Sequence, residues 1–113
     1  MNPTGVVTIK KGDTDPLFEA TVTDNGYAVD LSAATSVRIL TRRYGGTTYK
    51  TNAVMTIVSA VAGTVSYQWL PADVDTAARY ELTFEVLWNS GRKRTFPKPG
   101  FIPMLVEDKP ATS

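Results

Sequence analysis

The amino-acid sequence predicts an all-β protein, an antiparallel β-sandwich of about eight short strands, and three observations carry that prediction. Apolar and polar residues alternate with a period of two, most clearly where Tyr80, Leu82, Phe84, Val86 and Trp88 share one face and Glu81, Thr83 and Glu85 take the other. Turn residues recur roughly every ten positions, from Lys11-Gly12-Asp13 through Asp24-Asn25-Gly26 and Tyr44-Gly45-Gly46-Thr47 to Asn89-Ser90-Gly91. No stretch carries a convincing helical period. This combination is shared by sandwiches and barrels, and the sandwich is preferred.

The strands follow in order. Val6, Val7 and Ile9 form the first, closed by the charged turn from Lys10 to Pro16. Phe18, Ala20 and Val22 alternate with Glu19, Thr21 and Thr23, and Asp24-Asn25-Gly26 is a strong tight-hairpin signal leading to a short return through Tyr27 and Val29. After Asp30-Leu31-Ser32, Val37, Ile39 and Thr41 alternate with Arg38, Leu40 and Arg42. Ala53 to Ser59 is almost continuously apolar and β-branched, which predicts a strand buried on both faces or one bordering an interface. Ala62-Gly63 turns into Val65, Tyr67 and Trp69, followed by the long alternating stretch from Tyr80. Arg92 to Phe96 is the return strand, Pro97 to Gly100 a rigid break, and Phe101 to Val106 the last strand. Residues 1–107 are expected to form one domain around a core of Phe18, Val37, Ile39, Val65, Tyr67, Trp69, Tyr80, Leu82, Phe84 and Val86, and the tail 108–113 to fray.

Between the two most regular strands, Leu70 to Arg79 is too short and too proline-led for more than one helical turn, so it is expected to be a corner. An acidic stretch containing Asp75, a few residues before the strand-opening Tyr80, matches the tyrosine corner of immunoglobulin-like sandwiches, in which the phenol bonds back to upstream backbone. Asp75 and Tyr80 are therefore expected to be the structural corner.

Composition narrows function by exclusion. With 42% hydrophobic and 20% charged residues and a formal charge of +1, the chain has no global field to steer it to nucleic acid or an anionic membrane. It contains neither cysteine nor histidine, so disulfides, thiolate metal sites, a cysteine nucleophile and the usual general base are excluded. No apolar run approaches the roughly 18 residues of a membrane-spanning helix. The start of the chain lacks the charged and apolar pattern of an export signal.

Several constellations suggest sites and are weighed against ordinary roles. Asp13, Asp15, Asp73 and Asp75 offer oxygen ligands for calcium, but aspartate is common in turns and no calcium-loop spacing is present, so no metal is assigned. Arg42, Arg43 and Lys50 beside Tyr44 and Tyr49 have the chemistry to grip single-stranded nucleic acid, but a solvated hairpin end is the better reading. Arg92, Lys93 and Arg94 are placed to pair with Glu81 and Glu85 across the hairpin. Glu19, Glu81 and Glu85 alternate toward solvent rather than into a pocket, and no nucleophile motif occurs, so the chain is read as non-enzymatic, with no cofactor and no small-molecule substrate. The apolar residues that break phase, Leu40, Met55, Ile57 and Leu87, are expected on the surface and are the candidate protein interface. A rival reading is a carbohydrate-binding module using Tyr27, Tyr44, Tyr49 or Trp88.

Read in order, Lys11-Gly12-Asp13-Thr14, Asp24-Asn25-Gly26 leading to Val29-Asp30-Leu31, Gly63 to Trp69, Asp73 to Tyr80, and Gly91 to Phe96-Pro97 form a set of short motifs spanning Lys10 to Glu107. In that set the chain resembles the N-terminal domain of tailed-phage baseplate upper proteins. The resemblance implies an immunoglobulin-like domain that serves as a virion part, assembled in the host cytoplasm. Its partners would be other phage virion proteins, with self-association within the particle, in a baseplate or tail adaptor or a capsid-decoration role. The resemblance implies no catalytic residues.

Overall fold

The structure is a computed structural model and describes residues 7–15, 17–97 and 100–108. The features expected at Val6, Pro16, Lys98, Pro99 and 109–113 lie outside those residues. In chain order the strands are β1 (Val7–Lys10), β2 (Phe18–Thr21), β3 (Thr23–Asp24), β4 (Tyr27–Ala28), β5 (Ala34–Arg43), β6 (Tyr49–Val54), β7 (Thr56–Ser59), β8 (Thr64–Tyr67), β9 (Ala78–Trp88), β10 (Lys93–Phe96) and β11 (Ile102–Glu107). A single 3-10 turn, Pro71–Asp73, interrupts the β pattern among the described residues.

Two sheets pack face to face. The larger runs β1-β11-β9-β5-β6, with β10 also on β9, and the smaller runs β2-β8-β7. Strand β9 is central to the first because both of its edges are occupied. β5 pairs with it from Arg43 opposite Tyr80 to Ala34 opposite Trp88. β10 and β11 share the other edge end to end, Phe96 facing Phe84 and Ile102 facing Leu82. With β2-β8-β7 as the B-E-D sheet and β5-β9-β10 as C-F-G, the arrangement is that of an immunoglobulin-like sandwich.

The core lies between the sheets. Tyr80, Leu82, Phe84 and Val86 point inward from β9, and Val37 and Ile39 from β5, while Val65 and Tyr67 answer from β8. Phe18 of β2 bridges the layers, its ring centroid 5.5 Å from Trp69 and 6.4 Å from Phe84. The expected core residues are thus all buried or, for Phe18, packed against the buried cluster.

Two glycines are dictated by backbone geometry. Asn25 and Gly26 have φ of 53° and 83°, the paired positive values of the tight turn predicted between β3 and β4. Gly63, φ 73°, sits where three segments cross: a Cβ there would lie 2.4 Å from the Val29 carbonyl oxygen. The crossing is tied by Val22 N–H donating to the Gly63 carbonyl at 2.8 Å and Val29 N–H to the Val22 carbonyl at 2.8 Å.

Three expectations need correction. The sheet is not purely antiparallel: β1 pairs in parallel with β11, because the first strand enters beside the last and runs in its direction. The described residues hold eleven strands rather than about eight, of which β5 and β9 run to 10 and 11 residues; Val22 interrupts the second predicted strand and Met55 the apolar run. That run, Ala53 to Ser59, is not one strand buried on both faces. β6 pairs with β5 and β7 with β8, so the chain changes sheets at Met55, whose N–H donates to the Val37 carbonyl at 2.8 Å while its side chain enters the core. The loss of alternation there records a crossing between layers.

Phe84 is 1% exposed at the centre of the core. Replacing it by alanine is expected to remove about 3–5 kcal/mol of stability, measured by chemical denaturation; an unchanged midpoint would contradict the packing described.

Candidate functional site

The structure does not bring the four out-of-phase apolar residues together as a surface. Met55 is 5% exposed and belongs to the core, and Ile57 of β7 packs against that core. Leu40 and Leu87 lie on the outer face of the large sheet, on neighbouring strands but several positions apart, Leu40 opposite Thr83 and Leu87 opposite Ser36. Leu87 is half-buried. Leu40 is only 4% exposed. Arg38 and Arg42 flank it on the same face, and their heads are held by other strands. Arg38 donates from Nε to Asn52 Oδ1 at 2.8 Å and from Nη2 to the Asn52 carbonyl at 3.1 Å, and Arg42 donates from Nη2 to Glu81 Oε1 at 2.6 Å. The expectation of exposure at Leu40 and Met55 is therefore wrong, because alternation predicts which face a residue takes but not what covers that face.

An exposed apolar cluster lies at one end of the same face. Tyr44, Arg79, Phe101, Pro103 and Leu105, with Tyr80 and Met104, line a groove of about 430 Å³. The Tyr44 N–H donates to the Arg79 carbonyl at 2.9 Å, extending the β5–β9 ladder by one position. Across the next ladder Leu105 stands opposite Arg79, and Pro103 opposite Glu81. The rings of Tyr44 and Phe101 meet edge to face at 5.9 Å, and Tyr44 is still 63% exposed. Sequence reasoning assigned Phe101 to the last strand and missed this cluster. The available signal was an aromatic residue directly after Gly100 and two before Pro103, outside a regular alternating run.

The corner forms as its sequence predicts. The Tyr80 hydroxyl donates to the Thr76 carbonyl at 2.8 Å, and burial pushes its ionisation above the ordinary phenol range. Asp75 accepts from the Lys50 ammonium group and, at 2.9 Å, from the Thr76 hydroxyl; the Lys50 bond is the first cause that lowers its pKa. A second, deeper anchor was not foreseen. Asp73 accepts from the Tyr67 hydroxyl at 2.7 Å and the Leu70 N–H at 2.8 Å on one oxygen, and from the Thr51 hydroxyl at 3.0 Å on the other. Burial, followed by the bond to Asp73, pushes the Tyr67 phenol well above its ordinary value.

These contacts reassign the other candidates. Asp73 and Asp75 spend their oxygens on protein donors that hold the corner, and the described residues contain no group of three or more side chains arranged for a metal. In the basic and aromatic cluster, Arg42 is paired with Glu81 and Lys50 with Asp75. Glu81 is therefore engaged by β5 and not by the run Arg92 to Arg94, and Arg94 instead lies over the Phe96 ring, 5.8 Å from its centroid. Of the aromatics of the carbohydrate reading, Tyr27 lies on the β3–β4 hairpin, Tyr49 opens β6, Trp88 packs against the core, and Tyr44 faces Phe101.

The fold and these contacts define an immunoglobulin-like sandwich with a cross-braced corner and an aromatic groove. No protein-family model matches the chain, and no curated protein matches its sequence.

Two substitutions separate the anchors. Tyr80→Phe removes one hydrogen bond and is expected to cost about 1 kcal/mol, whereas Asp73→Ala strands three donors and is expected to cost roughly 3 kcal/mol or more; equal effects in denaturant titrations would refute the difference. Alkaline pH gives an independent check. The unfolded chain releases the Tyr67 proton near the ordinary value of 10.0, while the folded chain holds it to higher pH. Its contribution is thus fully present below that value and is lost as pH rises above it. Stability should hold up to about pH 10 and fall as pH rises beyond it, and Tyr67→Phe should flatten that fall.

Proposed function

We propose that this protein is a non-enzymatic structural component of a tailed-bacteriophage particle, docking on other virion proteins as a baseplate or tail adaptor or as a capsid-decoration protein. The observation that carries the reading is the Tyr80–Thr76 bond at 2.8 Å. It is a tyrosine corner within the Asp73 to Tyr80 stretch on which the resemblance partly rests, in an immunoglobulin-like strand order, and so supports the reading. The ion-paired charges fit the same reading, since Arg42 with Glu81 and Lys50 with Asp75 brace the fold. On this reading the virion is the site of action, and the exposed groove around Tyr44 and Phe101 takes the contact role that Leu40 and Met55 are too buried to fill.

The test is incorporation into particles. Wild-type protein should be found by mass spectrometry in virions purified from a lysate of the encoding phage. Tyr44→Asp and Phe101→Asp place a charge in a contact that must shed water, so both should stay folded by circular dichroism and be depleted from the particles by tenfold or more. Absence of the wild-type protein from purified virions would overturn the proposal, and retention by a glycan array would then favour the carbohydrate-binding reading.

A further inference from the structure

We infer that the free edge of β7 is a strand-addition surface on which a second copy of this chain pairs, joining two small sheets into one continuous sheet about a two-fold axis. The argument begins with how the other outer strands are protected. β1 carries Lys10, in an ion pair with Glu107 at 2.8 Å. β10 carries Lys93 and Arg94, and β2 carries Glu19. β6 carries Lys50, and one of its carbonyls, that of Asn52, is occupied by the Arg38 guanidinium at 3.1 Å. Charges at an edge oppose the addition of another strand, because pairing would strip them of water.

Strand β7 has no such protection. Its sequence is Thr-Ile-Val-Ser, and it lies in a stretch, residues 51–72, without a single charged side chain. It is the last strand of its sheet, and apart from its ladder to β8 no backbone hydrogen bond from Thr56, Ile57 or Val58 occurs among the described residues. The bulge between Ile57 and Ser59 lies on the β8 side. On this strand Val58 is 56% exposed.

A neutral, β-branched edge is best matched by another of the same kind, and β7 itself is the outer strand of this chain with that chemistry. Two copies meet without like-charge repulsion, the net charge of +1 adds little at long range, and antiparallel pairing of identical strands is the self-complementary contact that a two-fold axis produces. The assembly also closes. The joined sheet ends in β2 at both sides, where Glu19 opposes a further strand, so a dimer is expected and not a fibre. This inference gives a surface and a partner to the self-association within the phage reading but stands on the edge geometry alone.

Sedimentation velocity of the isolated protein from about 1 μM to about 1 mM tests it. Wild type should pass from monomer to dimer, and Val58→Lys should weaken the dissociation constant at least tenfold with an unchanged circular-dichroism spectrum. In a strand of four residues the partner's copy of Val58 lies within two positions across the axis, so an equimolar mixture of Val58→Lys and Val58→Glu should recover the dimer that neither forms alone. Should Val58→Lys fail to fold, Thr56→Lys, also exposed on β7, replaces it. A wild type that stays monomeric throughout, or a lysine variant that dimerises as wild type does, overturns the inference. A monomeric protein that is nevertheless present in purified virions would leave the phage reading standing without this surface.

Discussion

The inward row of β9, Tyr80, Leu82, Phe84 and Val86, is the constraint from which the rest of the sandwich follows. Four large side chains in phase must leave water together, and a strand with one wholly buried face and both edges hydrogen-bonded has no freedom to slip by one residue, since a slip would turn the whole row outward. Once β9 is fixed, β5 is registered along one edge and β10 and β11 along the other. The small sheet has to supply a complementary surface, which it does through Phe18, Val65, Tyr67 and Trp69.

The corner couples this core to the chain path between the layers. Leaving β8, the chain must cross to β9, and the crossing is held by two unlike anchors. Tyr80 bonds locally to Thr76, whereas Asp73 gathers Tyr67 from the small sheet, Thr51 from the large one and the Leu70 amide at the corner itself. A buried carboxylate is tolerable only when several donors meet it, and here they come from three segments, so the same bonds that satisfy Asp73 also clamp the sheets at that end. The outer face follows another logic. There Leu40 is buried between Arg38 and Arg42, whose heads are bonded to other strands, and apolar surface is exposed at the groove of Tyr44 and Phe101.

The sequence by itself determined what depends on neighbours a few residues apart. Alternation from Tyr80 to Trp88 set the buried face, Asn25-Gly26 set a turn that needs two positive φ values, and the acidic stretch with Asp75 ahead of Tyr80 set the corner. Only the tertiary structure decided which segments lie side by side. Arg38 and Arg42 on either side of Leu40 are anchored on Asn52 and Glu81, the Asp73 anchor draws on Thr51, the groove joins Tyr44 to Phe101, and β1 lies beside β11. The physical reason is that a period of two records the face a residue takes, whereas the cover, partners and edges of that face depend on strands that are distant in the chain and meet only when the sheets assemble.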